Sequence, residues 1–587
     1  MTKEKNDEYS HIHDDNFMDK YQEKVLTNDL NCEARKAFMS LDGDWNYSID
    51  IYDSFLREEW YSEKASHKED GPKDYSFSDW DTMELPACWN NKVKELSYYE
   101  GSVIFHRKFQ EIKTKGEKVF LRIGAANYET LVFINKQYVG KHSGGFTPFT
   151  ADITEYLKKG ENKILILVNN SREKDRIPSL ITDWFNYGGV YREIELFKVP
   201  PKQIKDYFAY LVPDGKYNKI KVKVETNGKE NEKVRIKIEN LINDELRLNS
   251  NGEAEKVFDV EKLKLWSTDC PYLYNLTLDY NGDVVNDQIG FRQVEVDGND
   301  ILINGEKTVL KGVSAHEDSV KNGKALTEAE RLETLKLAAD MNCNFMRLAH
   351  YPHHSNMSKL ADKLGILLWE EIPVYWSISF NKKEVLANGK KQLRELINRD
   401  KNRASVIIWS VGNENPDTEA RFNFMSSLID EAKSIDPSRL TSAACLLNLE
   451  KMEITDRLQD EVDVIGINEY FEWYFGSFAD LKHLTSTEIE KPVIISEFGG
   501  GAAPGKHGAE DEMWTEENQK RIYENQLEIL SKCDWVAGMT PWILYDFKTP
   551  KRVNKYQNMY NLKGLLDKEK KYKKQAYFTV RDFYQKL

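Results

Sequence analysis

Two glutamates follow runs of apolar residues in a way that suits acid–base or nucleophilic chemistry. Glu414 lies near the end of the stretch VIIWSVGNEN at 406–415, and Glu497 follows the apolar run of PVIISEFGG at 492–500. Such runs, rich in β-branched residues, are typical of strands that are buried on both faces of a parallel sheet. In barrels of alternating strands and helices, the carboxyl ends of the strands carry the active site. A pair of carboxylates at that edge suits glycoside hydrolysis, which needs one acid and one nucleophile or base.

The stretches around these glutamates predict a (β/α)8 TIM barrel over residues 298–587. Strand-length apolar runs alternate there with amphipathic stretches of helix length, which is the pattern of parallel strands covered by helices. Glu414 then follows the fourth strand and Glu497 ends the seventh. The eight predicted strands are TVLKGVSA, NFMRLAH, ILLWEE, VIIWSVG, RLTSAA, VDVIGIN, PVIISE and WVAGMTPW.

The chain before the barrel is predicted to form two β-sandwiches. Residues 1–30 are polar and lack periodicity, and we interpret them as a flexible or surface-draped arm. Alternating strand-length runs, separated by turn residues, then predict a jelly-roll sandwich over residues 31–198. Pro200 and Pro201 mark a boundary, and a second set of short strands predicts an immunoglobulin-like sandwich over residues 199–297.

The composition favours several packed domains and disfavours polyanionic partners. The chain has 587 residues, 40% of them hydrophobic, and its net charge of −14 argues against a nucleic acid or an anionic membrane as the main partner. No signal-peptide core and no long apolar run occurs, so we expect a cytoplasmic protein. The six cysteines lie far apart without a C-x-x-C pair, which indicates free thiols rather than disulfides or a zinc site.

Taken together, the glutamate motifs and the order of the domains resemble glycoside hydrolase family 2, in particular its β-glucuronidases. The resemblance extends from about residue 35 to the end of the chain. It implies a retaining mechanism through a glycosyl-enzyme intermediate, without a metal or another cofactor. It also implies that Glu414 is the general acid/base, that Glu497 is the nucleophile, and that Asn413 hydrogen-bonds the sugar 2-hydroxyl.

Further residues at the predicted strand ends match sugar-site positions of this family. The resemblance implies that Arg347 hydrogen-bonds and charge-pairs with the nucleophile and holds its pKa low, and that His350 binds substrate or braces the pocket. Tyr470 and Tyr474, in INEYFEWY, match tyrosines that line the pocket, and the alternative for both is a place among the core aromatics. Trp542, in MTPWILYDF, resembles the tryptophan that forms the floor of the sugar site.

Other polar residues at the strand ends admit competing interpretations. Glu414 has the alternative of capping the helix that follows it. Glu370 and Glu371 end the third strand, but neighbours on a strand point to opposite sides, so we expect one of them to brace the site. Glu469 ends the sixth strand as a further carboxylate. A cluster of basic residues invites a metal interpretation, although its spacing matches no zinc template; its members are His316, Arg347, His350, His353 and His354.

The stretch YNLKGLL carries the prediction of a uronic acid substrate. Asn561 and Lys563 resemble the Asn-x-Lys pair with which β-glucuronidases hold the substrate carboxylate, a charge that neutral galactose lacks. Asp183, in TDWFNYGGVYRE, resembles the aspartate that reaches the sugar hydroxyls from the first domain. In one departure from the family pattern, Gln557 stands where the best-known β-glucuronidases have an arginine, and Arg552 is the nearby cation that would compensate.

Three functions therefore compete. The first is hydrolysis of terminal β-D-glucuronic acid from small-molecule or oligosaccharide β-glucuronides, and the second is β-galactosidase or β-galacturonidase activity on the same fold. The third is a non-catalytic carbohydrate-binding protein, which the presence of both glutamates disfavours. The segment 372–390 is short where some β-glucuronidases carry a long lid, so we expect an open site. The family also implies a homo-oligomer, either a dimer or a tetramer.

Overall fold

The computed structural model describes residues 19–63, 77–110, 112 and 114–587. In this part of the chain two β-sandwiches precede a closed eight-stranded parallel barrel, which confirms the predicted fold class. Residues 1–18 of the predicted amino-terminal arm lie outside the described residues. Residues 19–30 lie against the first sandwich, where the side chains of Tyr21 and Leu30 are buried.

The first sandwich packs a six-stranded sheet against a four-stranded sheet. Its strands are β1 (Met39–Ser40), β2 (Gly43–Asp50), β3 (Asp81–Leu85), β4 (Ser102–Phe109), β5 (Lys118–Ile123), β6 (Ala126–Asn127), β7 (Glu129–Ile134), β8 (Gln137–Ser143), β9 (Phe149–Asp152), β10 (Asn162–Asn169), β11 (Gly189–Val190) and β12 (Ile194–Val199). The sheet orders are β3-β2-β4-β10-β7-β8 and β1-β12-β5-β9, and β6 pairs with β11. Helices α1 (Ser54–Arg57) and α2 (Trp89–Lys92) lie in the connections.

The second sandwich has seven strands in two antiparallel sheets. Its strands are β13 (Ile204–Leu211), β14 (Lys219–Thr226), β15 (Lys233–Ile238), β16 (Ile242–Arg247), β17 (Glu253–Asp259), β18 (Tyr274–Tyr280) and β19 (Asp283–Ile289). The sheet orders are β13-β14-β17 and β16-β15-β18-β19. In β14 the isoleucine and valines point into the core while the lysines between them face outward, because side chains alternate along a strand.

A small three-stranded sheet leads into the barrel. It comprises β20 (Val294–Asp297), β21 (Asp300–Ile303) and β22 (Glu306–Lys307). The barrel strands are β23 (Leu310–Ala315), β24 (Phe345–Leu348), β25 (Leu367–Glu371), β26 (Val406–Asn413), β27 (Leu440–Leu446), β28 (Val464–Asn468), β29 (Val493–Glu497) and β30 (Val536–Met539). Each strand pairs in parallel with the next, and β30 pairs with β23 to close the barrel. These are the eight strands predicted from the sequence, in the same order.

Seven helices follow or flank the barrel strands. They are α3 (Glu328–Asp340), α4 (Ser355–Leu364), α5 (Lys383–Asp400), α6 (Glu419–Ile435), α7 (Phe478–Leu484), α8 (Glu516–Leu530) and α9 (Gln575–Tyr584). Side-chain caps fix several helix starts. At α3 the Thr327 hydroxyl accepts from the backbone N–H of Glu330, and the Glu330 carboxylate accepts from the backbone N–H of Thr327. A last hairpin, β31 (Phe547–Lys548) with β32 (Tyr560–Asn561), covers the carboxyl edge after the eighth barrel strand. No helix in the described ranges has the length and apolar character of a membrane span.

Candidate active site

Both predicted catalytic glutamates lie at the carboxyl edge of the barrel. Glu497 is the last residue of β29, and Glu414 directly follows β26. Glu497 is buried, whereas Glu414 is partly exposed. The backbone of Glu414 adopts a left-handed conformation with φ of 51°, which a residue with a side chain adopts at a cost of about 1 to 3 kcal/mol unless its surroundings hold it there.

The carboxylate of Glu497 is held by donors on both oxygens. Arg347 Nη1 donates to its Oε1 at 2.9 Å, and the hydroxyl of Tyr470 donates to its Oε2 at 2.6 Å. His350 Nε2 lies 3.7 Å from Oε1. The carboxylate is therefore fixed in orientation, with a guanidinium, a phenol and an imidazole around it.

Arg347 is the centre of a fully buried network. Its guanidinium makes two hydrogen bonds of 3.1 Å to Glu371 in addition to the bond to Glu497. His350 Nδ1 lies 2.8 Å from Glu371 Oε1, and the indole of Trp369 donates to Glu371 Oε2 at 2.7 Å. One arginine thus shares its charge between two carboxylates, and Glu371 fixes the arginine.

The two carboxylates that share Arg347 have pKa values shifted in opposite directions. Burial raises the pKa of Glu497 and so does the charge of Glu414, while Arg347, His350 and the Tyr470 hydroxyl oppose the rise. Burial also acts to raise the pKa of Glu371, but Arg347 and His350 outweigh it and lower that pKa to about 2. The prediction that Arg347 holds the pKa of Glu497 low is therefore wrong for the net shift, because burial outweighs the guanidinium there, whereas at Glu371 the guanidinium and His350 outweigh burial.

Glu414 is held by neutral donors alone. The indole of Trp376 donates to its Oε2 at 2.7 Å, and Asn468 Nδ2 donates to its Oε1 at 2.9 Å. Trp376 also has a left-handed backbone, with φ of 52°. Two neighbouring residues in this rare conformation indicate that the surrounding structure, rather than local preference, sets the position of the carboxylate.

Asn413 connects the two glutamates. Its Oδ1 accepts from Arg347 Nη2 at 2.7 Å and from Asn468 Nδ2 at 3.2 Å. Its Nδ2 is buried and makes no hydrogen bond to any residue that the structure describes. Because both bonds fix the amide by its oxygen, the nitrogen remains as a donor for a bound molecule.

Aromatic side chains form the walls of the pocket. Trp542 stacks on His350, with ring centroids 4.8 Å apart and an interplanar angle of 23°. Tyr375 lies 4.9 Å from the His350 ring, and Trp184 of the first sandwich lies 4.8 Å from the Tyr375 ring. The flat faces of such rings suit the apolar faces of a pyranose.

A cation lies near Glu497, with a single tyrosine between them. The Lys563 ammonium is 4.5 Å from the centre of the Tyr470 ring, whose hydroxyl contacts Glu497. Lys563 also donates to the hydroxyl of Tyr474 at 2.6 Å. Burial acts to raise the pKa of Tyr474, but Lys563 and Arg552 outweigh it, so this pKa lies below the ordinary value for tyrosine.

Asp183 reaches the same end of the pocket from the first sandwich. Arg552 Nε donates to its Oδ1 at 3.1 Å, and the Arg552 Nη2 group pairs with its Oδ2. Thr549 Oγ1 donates to Oδ1 at 3.0 Å, and Asn561 Nδ2 donates to Oδ2 at 3.3 Å. Arg552 Nη1 also lies 3.2 Å from the Tyr474 hydroxyl. The predicted site residues from both domains are thus brought together, while Gln557 contacts Asn554 instead.

Other carboxylates at the edge have different surroundings. Glu370 lies 4.0 Å from Arg399, and burial together with Asp400 raises its pKa well above the ordinary value. Burial raises the pKa of Glu469 to about 8, and its Oε2 accepts from the backbone N–H of Phe471. Both point away from Glu414 and Glu497. The capping alternative for Glu414 is wrong, because Thr418 caps helix α6.

The histidines of the predicted cluster bond to different partners. His316 Nδ1 bonds to the hydroxyl of Tyr351 at 3.0 Å, His353 Nε2 to the carbonyl of Ala349 at 3.0 Å, and His354 Nε2 to Glu193 at 2.8 Å. Across the residues that the structure describes, no group of three or more His, Cys, Asp or Glu side chains is arranged to hold a metal ion.

Several residues of the site were not predicted from the sequence, among them Tyr375 and Trp184 of the pocket wall and the two that contact Glu414, Trp376 and Asn468. Trp376 lies in the irregular segment after the third barrel strand, where no periodicity indicates the direction of a side chain. Asn468 ends β28 and carried the same signal as the glutamates, a polar residue after an apolar run. The sequence drew attention to Glu469 beside it, but the two neighbours point to opposite sides.

Comparison with known proteins places all three domains in one family. Models of glycosyl hydrolases family 2 match residues 38–200 as the sugar binding domain, residues 202–292, and residues 294–587 as the TIM barrel domain. The last of these alone spans half of the chain.

Individual relatives are similar over nearly their whole length. A β-glucuronidase of Paenibacillus borealis is 28% identical, over 92% of this chain and 96% of the relative. The structure of a Bifidobacterium dentium β-glucuronidase complexed with coumarin-3-O-glucuronide matches with a TM-score of 0.83 and 25% identity, over 93% and 97% of the two chains. That of an Eisenbergiella tayi β-galacturonidase bound to galacturonate matches with a TM-score of 0.80 and 25% identity, over 94% and 98%. The chain belongs to family 2 of the glycosyl hydrolases.

Proposed function

We propose that the protein is a retaining β-glucuronidase that removes terminal β-D-glucuronic acid from small-molecule or oligosaccharide β-glucuronides. The observation that carries the proposal is the Lys563 ammonium, which lies one tyrosine away from Glu497 in a pocket that also holds Glu414. A glycosidase for neutral sugars has no need of a buried cation near the nucleophile. A uronic acid substrate requires such a cation, because its carboxylate must be paired with a positive charge when it leaves water.

Glu497 is proposed as the nucleophile. Its carboxylate attacks the anomeric carbon while Glu414 donates a proton to the glycosidic oxygen, so that the bond from carbon to that oxygen breaks and a glycosyl-enzyme forms. Glu414, now a carboxylate, takes a proton from water, and the water oxygen displaces Glu497. Two inversions leave the product in the β configuration.

The different partners of the two carboxylates support these roles. Arg347 and the Tyr470 hydroxyl stabilise a negative charge on Glu497. Among the described residues, an indole and an amide donate to Glu414 and no ion pair reaches it, an arrangement that suits a group acting first as acid and then as base. The unpartnered Nδ2 of Asn413 is proposed to donate to the sugar 2-hydroxyl.

Recognition of the uronate is proposed to rest on Lys563 and Asn561. In the free enzyme Lys563 bonds to the Tyr474 hydroxyl and Asn561 to Asp183, so both donors are preorganised at one end of the pocket. Arg552, which contacts Asp183 and Tyr474, adds a second cationic group in place of the arginine that Gln557 replaces. In the free enzyme Arg552, Thr549 and Asn561 occupy both oxygens of Asp183, so Asp183 is proposed to accept from a sugar hydroxyl once Asn561 turns to the uronate.

β-Galacturonidase activity is the second candidate, favoured by the similarity to the galacturonate-bound Eisenbergiella tayi structure. The two uronic acids differ only in the orientation of the 4-hydroxyl, so Lys563 and Asn561 would serve either substrate. The homo-oligomer and the cytoplasmic location stay predictions from the sequence, and light scattering coupled to size-exclusion chromatography tests the first.

The test compares kcat/KM for phenyl β-D-glucuronide, β-D-galacturonide and β-D-galactoside between the wild type and Lys563→Ala. Loss of a charge-assisted bond of about 2 kcal/mol should lower kcat/KM for the preferred uronide by about thirtyfold or more. Lys568→Ala is the matched control, because Lys568 is exposed and also lies over a tyrosine ring, that of Tyr560. A wild type that prefers the galactoside, with no effect of Lys563→Ala, would overturn the proposal.

A further inference from the structure

A groove of about 670 Å³ opens beside the candidate acid carboxylate. One wall is the first-sandwich segment 174–181, and the other is the segment 376–382 that follows the third barrel strand. The apolar lining includes Leu180, Ile181, Trp376, Ile378 and Phe380. Its volume suits a ligand of several fused rings.

Both walls run continuously from the sugar pocket into the groove. In the first sandwich, Asp183 faces the pocket and Ile181, two residues earlier, lines the groove. In the barrel segment, Tyr375 lies against His350 in the pocket, and Trp376 beside it lines the groove and donates to Glu414. The groove and the sugar pocket therefore meet at Trp376.

Polar contacts hold the two walls together. Ser179 Oγ donates to the carbonyl of Ser377 at 2.9 Å, and Ser379 Oγ donates to Asp175 at 2.7 Å. The carbonyl of Ile177 accepts from Gln392 of helix α5 at 3.0 Å. The groove is thus a fixed feature of the interface between the two domains.

Two large aliphatic side chains are held in solvent on this fixed wall. Leu180 is 46% exposed and Ile181 is 60% exposed. The free protein gains nothing from exposing them, but a bound apolar group would bury both. On the rim, Lys382 forms an ion pair with Asp175, while Lys174 lines the groove and the Lys551 ammonium lies 3.7 Å from the centre of the Trp376 ring.

From this arrangement we infer that the groove binds the aglycone, and that its preferred occupant is a rigid, apolar aglycone of several fused rings. The inference rests on the proposed function, in which the glycosidic oxygen takes its proton from Glu414. The aglycone carries that oxygen, so it lies on the side of Glu414, where Trp376 leads directly into the groove. The segment 372–390 is too short to cover the groove as a lid. The first-sandwich wall contacts the aglycone instead.

The kinetic test uses the double variant Leu180→Ser/Ile181→Ser with 1-pyrenyl and phenyl β-D-glucuronide. Pyrene presents a larger apolar surface to the groove than phenyl does, so the ratio of kcat/KM for the pyrenyl over the phenyl substrate should fall about tenfold, mainly through the KM of the pyrenyl substrate. Val257→Ser is the control, because Val257 is 47% exposed on the second sandwich and should leave the ratio at its wild-type value. An unchanged ratio in the double variant would refute the inference.

Direct binding of 1-hydroxypyrene, followed by its fluorescence, separates this inference from the proposed function. Saturable binding to the wild type that is weakened about tenfold in the double variant, but not in Val257→Ser, supports the groove as the aglycone site. Equal binding to all three proteins contradicts it. If the wild type hydrolyses no glucuronide, the proposed function fails, and the titration still decides whether the groove takes an apolar polycycle.

Discussion

The surroundings of Glu497 and Glu414 differ in both charge and burial. Glu497 is buried, and a guanidinium, a phenol and an imidazole lie around it. Glu414 is partly exposed and receives one indole and one amide hydrogen bond. Two carboxylates of the same residue type, at the ends of strands in the same barrel, thus have different electrostatic environments.

This difference shows how one barrel edge can give two glutamates the separate environments that the proposed acid and the proposed nucleophile require. Glu371, whose pKa is lowered to about 2, fixes the position of the Arg347 guanidinium, and the guanidinium opposes the rise that burial causes in the pKa of Glu497. Neutral donors orient Glu414 without preferring its charged form as strongly as a cation would. Asn413 and Asn468 connect the two environments through hydrogen bonds of their side-chain amides.

The largest expected effect comes from replacing each glutamate by glutamine. Glu497→Gln removes the nucleophile, so kcat should fall by about 10⁴-fold or more whatever the leaving group. Glu414→Gln removes the proton donor, so the loss should be about 10² to 10⁴-fold for an alkyl glucuronide and smaller for a nitrophenyl glucuronide, whose oxygen leaves without a proton. Steady-state kinetics with both substrates measure this. If the loss of kcat depended on the leaving group equally in both variants, the two glutamates would not have the separate roles proposed for them.

The next largest effect is on stability. Replacing the residue that supports Glu497 should lower the free energy of unfolding more than replacing the residue that supports Glu414. Arg347→Met leaves Glu371 and Glu497 buried without their cation and should cost about 3 to 5 kcal/mol of stability. Asn468→Ala removes neutral hydrogen bonds to Glu414 and Asn413 and should cost about 1 to 2 kcal/mol. Calorimetric unfolding compares the two. A larger loss of melting temperature for Asn468→Ala would mean that the ionic network does not dominate the edge of the barrel.

The smallest expected effect is a shift in the pH dependence of kcat/KM. Glu497 must be ionised to attack, so activity is lost as the pH falls through its pKa, which burial raises above the ordinary glutamate value. The Tyr470 hydroxyl bond favours the charged form and opposes that rise. Tyr470→Phe should therefore move the acid limb of kcat/KM upward by about half a pH unit or more. A limb that stays in place or moves downward would show that this bond does not stabilise the anion.

The fold followed from the sequence because its patterns are periodic. Alternation in KIKVKVET sets which side chains of β14 enter the core, and continuous apolar runs such as VIIWSVG set the barrel strands. The carboxyl ends of parallel strands meet at one edge, so the sequence alone predicts that Glu414 and Glu497 lie on that edge.

Residues that reach the site from irregular segments carry no such signal. Trp376 contacts Glu414 from a loop, with a left-handed backbone that no local preference predicts. Leu180 and Ile181 appear as ordinary apolar residues in the sequence, and only the packing of two domains leaves them exposed beside the pocket. Contacts between domains depend on the relative placement of distant segments, which periodicity does not encode.

The central claim, that Glu497 and Glu414 have separate roles on a uronide substrate, is tested most directly by trapping the covalent intermediate. In 2-deoxy-2-fluoro-β-D-glucuronyl fluoride, the fluorine at carbon 2 slows both steps, and the fluoride leaving group restores the first, so the glycosyl-enzyme accumulates. Mass spectrometry of the inactivated protein and its peptides should find one sugar per chain, attached to Glu497. Attachment to Glu414 or to another residue would contradict the account, as would turnover of the reagent without any label.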